Sequence, residues 1–238
     1  MKNLKNNLGA LIIIISMLSI FSSCKKKSQP NTVVPVTAEA LTGYYIAIER
    51  ESNDIMQYRL VYFINENGNV KVYHDGAATR RIGDVVVSDN KFSFDLNANG
   101  QDVLEFVFLS DASGNISLKS LVNKGTGSAA MQIQHAEMFK TSSVPGWGGE
   151  TFKRKAGAPE YFMYYSFSDS KTMYANSTSP ATVPSMACYT LGNDLGFKSN
   201  NDILLGIFVP SWKGDATIKM LLNNKDLPDV AQYQSYNP

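Results

Sequence analysis

Lys91-Phe-Ser-Phe-Asp-Leu-Asn97 alternates without a fault. Phe92, Phe94 and Leu96 fall on one face, and Lys91, Ser93, Asp95 and Asn97 on the other. A side-chain period of two with one apolar face marks a half-buried strand. Outward from this stretch, turn signals recur at Asn67-Gly68, Asp75-Gly76, Asp89-Asn90, Asn99-Gly100, Ser113-Gly114 and Gly125 to Gly127. The segments between them are rich in Val, Ile, Tyr and Phe, and no segment shows a helical apolar stripe. The pattern predicts strands near 43–50, 56–64, 69–75, 80–88, 91–97, 102–109, 115–122 and 131–140. Short connections make these an antiparallel meander, and the fold class is all-β.

Such a meander removes its exposed edges by closing into a barrel. A two-sheet β-sandwich gives nearly the same sequence and stands as the alternative. Leu41-Thr42-Gly43-Tyr44-Tyr45 opens the first strand. It resembles the Gly-x-Trp that opens the first strand of lipocalin-like barrels, with Tyr45 where the Trp would be. The resemblance covers residues 41–140. It implies an eight-stranded barrel, a floor closed by Tyr45, a basic residue packed on it (Lys140 is the candidate) and an apolar ligand held inside. Phe92, Phe94, Phe106 and Phe108 are the residues expected to hold such a ligand.

Residues 141–159 contain Pro145-Gly-Trp-Gly-Gly149 and the basic Lys153-Arg-Lys155, and read as a linker or long loop. Strand-like runs follow at 160–168, 171–177, 185–191, 203–209 and 215–222, and Asp226 to Tyr233 reads as a helical turn or two. Residues 160–238 are thus a second β-rich domain or an extension of the first. Within them, Tyr161 to Phe167 is aromatic on both faces, as a strand buried on both sides would be. Trp147 sits among glycines and Trp212 follows Pro210-Ser211. Each caps a core or, if exposed, offers a ring to a sugar.

The search for chemistry is mostly negative. The chain holds two histidines, His74 and His135, each in step with apolar neighbours on its strand. There is no HxH, HExxH, CxxC, nucleophile elbow or phosphate loop. No catalytic residue, metal site or cofactor is expected. Glu49 and Glu51 share a strand face, but glycosidase carboxylates must flank a sugar, and a strand end points these two to solvent.

The N-terminus gives an address. Lys2 and Lys5 precede a fourteen-residue, mostly apolar run from Leu8 to Phe21, and Ser22-Ser23-Cys24 follow. A spanning helix needs roughly 20 residues, so residues 1–23 read as a signal peptide. Phe21-Ser-Ser-Cys24 resembles the lipobox of bacterial lipoproteins. By that resemblance Cys24 carries lipid such as palmitate and becomes the mature N-terminus; Pro30 and Pro35 among Ser, Gln, Asn and Thr make residues 24–40 read as a flexible tether. Each buried methylene contributes about 0.8 kcal/mol, so several acyl chains hold firmly. No acidic residue stands directly after Cys24, which by the same resemblance points to the outer rather than the inner membrane of a Gram-negative cell envelope.

Of 22 basic and 21 acidic residues, five and one precede Leu41, which leaves 17 against 20. That near-neutral balance argues against a nucleic-acid partner. Past Cys24 the one cysteine is Cys188, in Met-Ala-Cys-Tyr. It reads as a small core residue, and no intrachain disulfide is available to the rest of the fold. The sequence therefore predicts a membrane-anchored, non-enzymatic envelope lipoprotein that binds a small apolar ligand or envelope component. The rival readings are a surface glycan-binding or scaffold module built on exposed aromatics, and a hydrolase with dispersed acids.

Overall fold

The computed structural model describes residues 34–52, 54–127, 131–144, 146–156, 159, 161–201, 203–214, 220–225 and 230–236. Cys24, the apolar run before it and the lysines after it lie outside the described residues. The stretch read as tether joins the fold from Val34 onward. Val36 is buried, and its N–H donates to Asn90 Oδ1 at 2.9 Å. Thr37 caps the one-turn helix α1 (Ala38–Leu41), its Oγ1 accepting from Ala40 N, and Leu41 is fully buried.

Eight strands follow, all where the alternation places them: β1 (Tyr44–Ser52), β2 (Ile55–Glu66), β3 (Asn69–Asp75), β4 (Arg80–Asp84), β5 (Lys91–Asp95), β6 (Val103–Ser110), β7 (Ile116–Asn123) and β8 (Met131–Lys140). Asn67 and Gly68 both have positive φ, which a two-residue hairpin turn with the right twist requires. Every ladder is antiparallel, and β8 returns to pair with β1, as a closing meander does. The ring of ladders is open at two places, β4/β5 and β7/β8. The first half is therefore a five-stranded sheet, β4-β3-β2-β1-β8, facing a three-stranded sheet, β5-β6-β7. It combines barrel-like strand order with the two layers of a sandwich.

Period two decides what lies between the layers. Ile46, Ile48, Val61, Phe63, Val70 and Val72 of the large sheet meet Phe92, Phe94, Leu104, Phe106, Phe108 and Leu121 of the small one. The approach is close at the edge: a Cβ on Gly83 would lie 2.5 Å from the Phe94 ring.

The second half closes fully. Strands β9 (Thr151–Ala156), β10 (Tyr161–Phe167), β11 (Met173–Ser177), β12 (Met186–Leu191), β13 (Gly196–Ser199), β14 (Leu204–Val209), β15 (Met220–Lys225) and β16 (Val230–Tyr236) form a closed barrel, with β16 paired to β9. The expected linker thus holds a strand, β9, in its basic Lys153-Arg-Lys155 segment. The expected helical turn near the C-terminus is corrected for residues 230–233, which open strand β16; 226–229 lie outside the described residues. Barrel closure explains both differences, since an eighth strand must pair on each side. The interior is filled by Trp147, Phe152, Tyr165, Phe167, Tyr174, Phe197, Phe208 and Tyr233.

All described residues fall in one compact unit, 34–238. The joint is a third core. Tyr45 and Ala47 of β1, Tyr58, Leu60 and Tyr62 of β2 and Phe139 of β8 meet Leu191, Leu195, Leu205, Ile207, Val209 and Trp212 from the barrel's outer face. Strands β1 and β2 are consequently buried on both faces, and so is β14, whose six residues are all buried. An ion pair crosses the same joint: the fully buried Asp75 meets Arg80 at 2.8 Å and Lys198 of β13 at 3.7 Å.

Because the halves share this middle layer, Ile207→Ala is expected to cost about 2–5 kcal/mol. Urea unfolding followed by far-ultraviolet circular dichroism and by tryptophan fluorescence should shift together to a lower midpoint. Two separate transitions would show that the layer does not couple the halves.

Candidate functional site

The residues singled out from the sequence are mostly core. Phe92, Phe94, Phe106 and Phe108 stack along β5 and β6, with centroids 5.5 Å apart for Phe92–Phe106 and 6.3 Å for Phe92–Phe94 and Phe106–Phe108. All four are buried between the two sheets. Tyr45 faces the opposite way, into the middle layer, and its hydroxyl donates to Phe208 O at 2.8 Å. Burial raises its pKa. The aromatic that points into the sandwich is its neighbour Tyr44, whose hydroxyl accepts from Ile116 N at 2.9 Å. Lys140 lies across from Tyr44 in the ladder and donates to Asn115 Oδ1.

Neither tryptophan presents a ring at the surface. Trp147 is fully buried in the barrel end, stacked on Phe208 at 4.6 Å, and its Nε1 donates to Asp194 O. Trp212 is 2% exposed, edge-on to Tyr58 and to His135. A Trp among glycines is here a plug, because flexible chain lets a large ring reach a core that no strand supplies. Cys188 is buried, and its thiol is pushed up to about 11 by desolvation, as an inert core thiol would be.

Burial of β10 rises along the strand: both faces are exposed at its start and buried at its end. Tyr165 and Phe167 point into the barrel, while Tyr161 and Phe162 are exposed, at 48% and 41%. Outside, Phe162, Tyr164 and Tyr236 line up at 6.3 and 5.4 Å, and Lys153 Nζ stands 4.2 Å from the Tyr236 ring centre and 5.4 Å from that of Phe162. Cross-strand pairing creates the ribbon: Lys153 of β9 is flanked by Tyr164 of β10 and Gln234 of β16.

Lys153 also lines a cleft of about 450 Å³ where the middle layer ends. One wall is Glu49 and Tyr58 of the large sheet. The other is β9 from Lys153 to Lys155 with Ala231, Gln232 and Gln234 of β16, although the alternation of β9 turns the Arg154 guanidinium away, onto the Tyr233 ring inside the barrel at 5.2 Å. Gln232 Nε2 donates across the cleft to the Tyr58 hydroxyl at 3.2 Å, and burial pushes the Tyr58 pKa up to about 12, so this hydroxyl stays neutral. Glu49 lies at the β1–β8 bulge, which re-aims side chains. Its Oε2 is 2.5 Å from Lys213 Nζ. Below, His135 and Glu137 form a 2.6 Å pair, and Glu137 Oε1 accepts from Lys213 N.

The cleft therefore carries two cations, Lys153 and Lys155, against one carboxylate, which Lys213 neutralises. It offers amide and ammonium donors beside a partly exposed aromatic ribbon. Glu49 is the one carboxylate among its lining residues, whereas glycoside hydrolysis draws on two. Glu51 instead accepts from Gln134 at the surface. Among the described residues no group of three or more His, Cys, Asp or Glu could hold a metal ion. The sequence signals that could have found this site were the Lys153-Arg-Lys155 run and the outward positions of β10; reading the first as linker and the second as core concealed it. No family model, curated protein or solved structure matches the chain.

Two buried indoles give a direct check. Native emission should be blue-shifted and poorly quenched by iodide until denaturant is added, and Phe106→Ala should cost about 3–5 kcal/mol through the cavity it leaves. Strong iodide quenching of the native state would place a tryptophan at the surface.

Proposed function

We propose that the protein is a lipid-anchored cell-envelope protein that binds an acidic saccharide in the cleft between its two halves, without chemical turnover. The observation that carries this reading is the cleft's charge: Lys153 and Lys155 face it, and its one carboxylate is already paired to Lys213. A positive concave wall attracts an anion and raises its encounter rate. Gln232 and Gln234 supply amides suited to hydroxyl groups, and the Phe162–Tyr164–Tyr236 ribbon supplies apolar faces against which the C–H groups of a sugar ring pack. The anchor rests on the Phe21-Ser-Ser-Cys24 lipobox and places the protein at the outer membrane, with the membrane as its lipid partner. The stacked phenylalanines between the sheets serve as core in this reading.

Titration calorimetry of the full chain with oligogalacturonate and with a neutral oligosaccharide of equal length tests the cleft. Saturable binding of the acidic sugar is expected, weakening with salt. The paired substitutions Lys153→Ala and Lys155→Ala should lower affinity about tenfold or more, roughly 1.4 kcal/mol. Equal affinity for both sugars, or no effect of the substitutions, would remove the reading. The anchor is tested separately: Cys24→Ala should abolish labelling by a fatty-acid analogue, and labelling equal to wild type would exclude lipidation at this cysteine.

A further inference from the structure

A second cluster of positive charge lies away from the cleft, on the other face of the large sheet. Arg50 of β1, Arg59 of β2 and His74 of β3 continue the period-two positions of Ile48, Val61 and Val72, so they point between the sheets at the end remote from α1. Arg59 is 6% and His74 3% exposed. Arg59 lies flat on Gly76, where a Cβ would sit 2.3 Å from its Nη1.

Their partners are too few and too weak. Gln57 Oε1 accepts from both guanidiniums. Arg50 gives its other Nη to the Met131 thioether, a poor acceptor, and Arg59 gives its other Nη to Tyr58 O. The Nε of each arginine and Nδ1 of His74 are buried without a hydrogen-bond partner. Among the described residues no carboxylate bonds either guanidinium. The acid that acts on Arg50 is Asp102, whose oxygens accept from Asn97 and Asn123. Arg81 stands at the rim, with Nε donating to Leu96 O. Burial, and after it the charge of Arg50, hold the Arg59 pKa down to about 9. His74 is held well below its usual value by burial and by Arg59 and Arg50.

Buried charges are retained when something compensates them. We infer that this end of the first half is a binding site for one small oxyanion, held by Arg50, Arg59 and His74. The chemistry that fits is an oxygen anion accepting several N–H bonds at once: a phosphate or a carboxylate group. The anion takes the place of the Met131 sulfur on Arg50 and reaches the unpartnered nitrogens beneath, with Gln57 left to orient the two guanidiniums. The site is independent of the cleft, which lies on the opposite face of β1 and β2.

Thermal unfolding of the full chain, read with inorganic phosphate, with acetate and with sodium chloride at equal ionic strength, tests this. A saturable rise in Tm of several degrees is expected with phosphate or acetate beyond the chloride control, and whichever arm responds identifies the group. The rise should vanish in Arg59→Gln and in Arg50→Gln and persist in the Lys153→Ala, Lys155→Ala protein. Loss in the lysine variant with retention in both arginine variants would assign the effect to the cleft and overturn the proposal, as would no rise in either arm. Should the arginine variants fail to fold, the wild type decides: its arginine Nε–H resonances must shift saturably with the anion, and unmoved resonances overturn the site.

Discussion

Everything in this fold depends on one sheet having no free face. Strands β1 and β2 carry Ile46, Ile48, Val61 and Phe63 toward the small sheet and Tyr45, Ala47, Leu60 and Tyr62 toward the barrel. Such strands cannot alternate apolar with polar, and they read as continuous runs from Tyr44 to Ile48 and from Leu60 to Ile64. The sheet satisfies its own backbone through its ladders, so two cores form at once on a single framework. A polar group caught in that framework needs partners within it. Asp75 shows this: fully buried, it is bonded to Arg80 and reached by Lys198 from the other half, and losing one partner of such a set costs several kcal/mol.

The three cores are rich in aromatics, and this filling leaves the polar cleft and the arginine cluster at their margins. Rings that stack at 4.6 to 6.3 Å inside the barrel and between the sheets contribute burial and packing. Where the middle layer runs out, at the β1–β8 bulge, the two halves diverge and polar side chains line the gap. A cleft at a junction gains from this placement, because its walls belong to rigid sheets while its lining residues need not support a core.

The two cationic places differ in their surroundings. Lysines 153 and 155 have water and aromatic faces to spread their charge, and screening by salt limits what each can contribute. Arg50 and Arg59, with the neutral His74 beside them, lie where the dielectric is lower, so like charges there cost more and a single anion gains more. One face of β1 and β2 therefore ends in a cleft suited to a large, solvated ligand, and the other in a cluster suited to a small one.

The sequence by itself determined the local structure of the first half. Strict alternation in Lys91 to Asn97 and turn pairs such as Asn67-Gly68 are short-range signals, and all eight strands lie where those signals put them. The second half was less legible. β13 is four residues with a glycine, and β9 carries three consecutive basic residues that mimic a linker, so each is a strand only because its neighbours in the barrel need pairing. Which face of each strand meets which core was decided by tertiary structure alone. Tyr44 and Tyr45 differ by nothing in sequence, yet period two sends one between the sheets and the other into the middle layer. The same holds for Trp147 and Trp212, whose burial comes from distant strands, and for Lys153, Glu49 and Gln232, which are far apart in the chain and lie together because the barrel closes against the sheet.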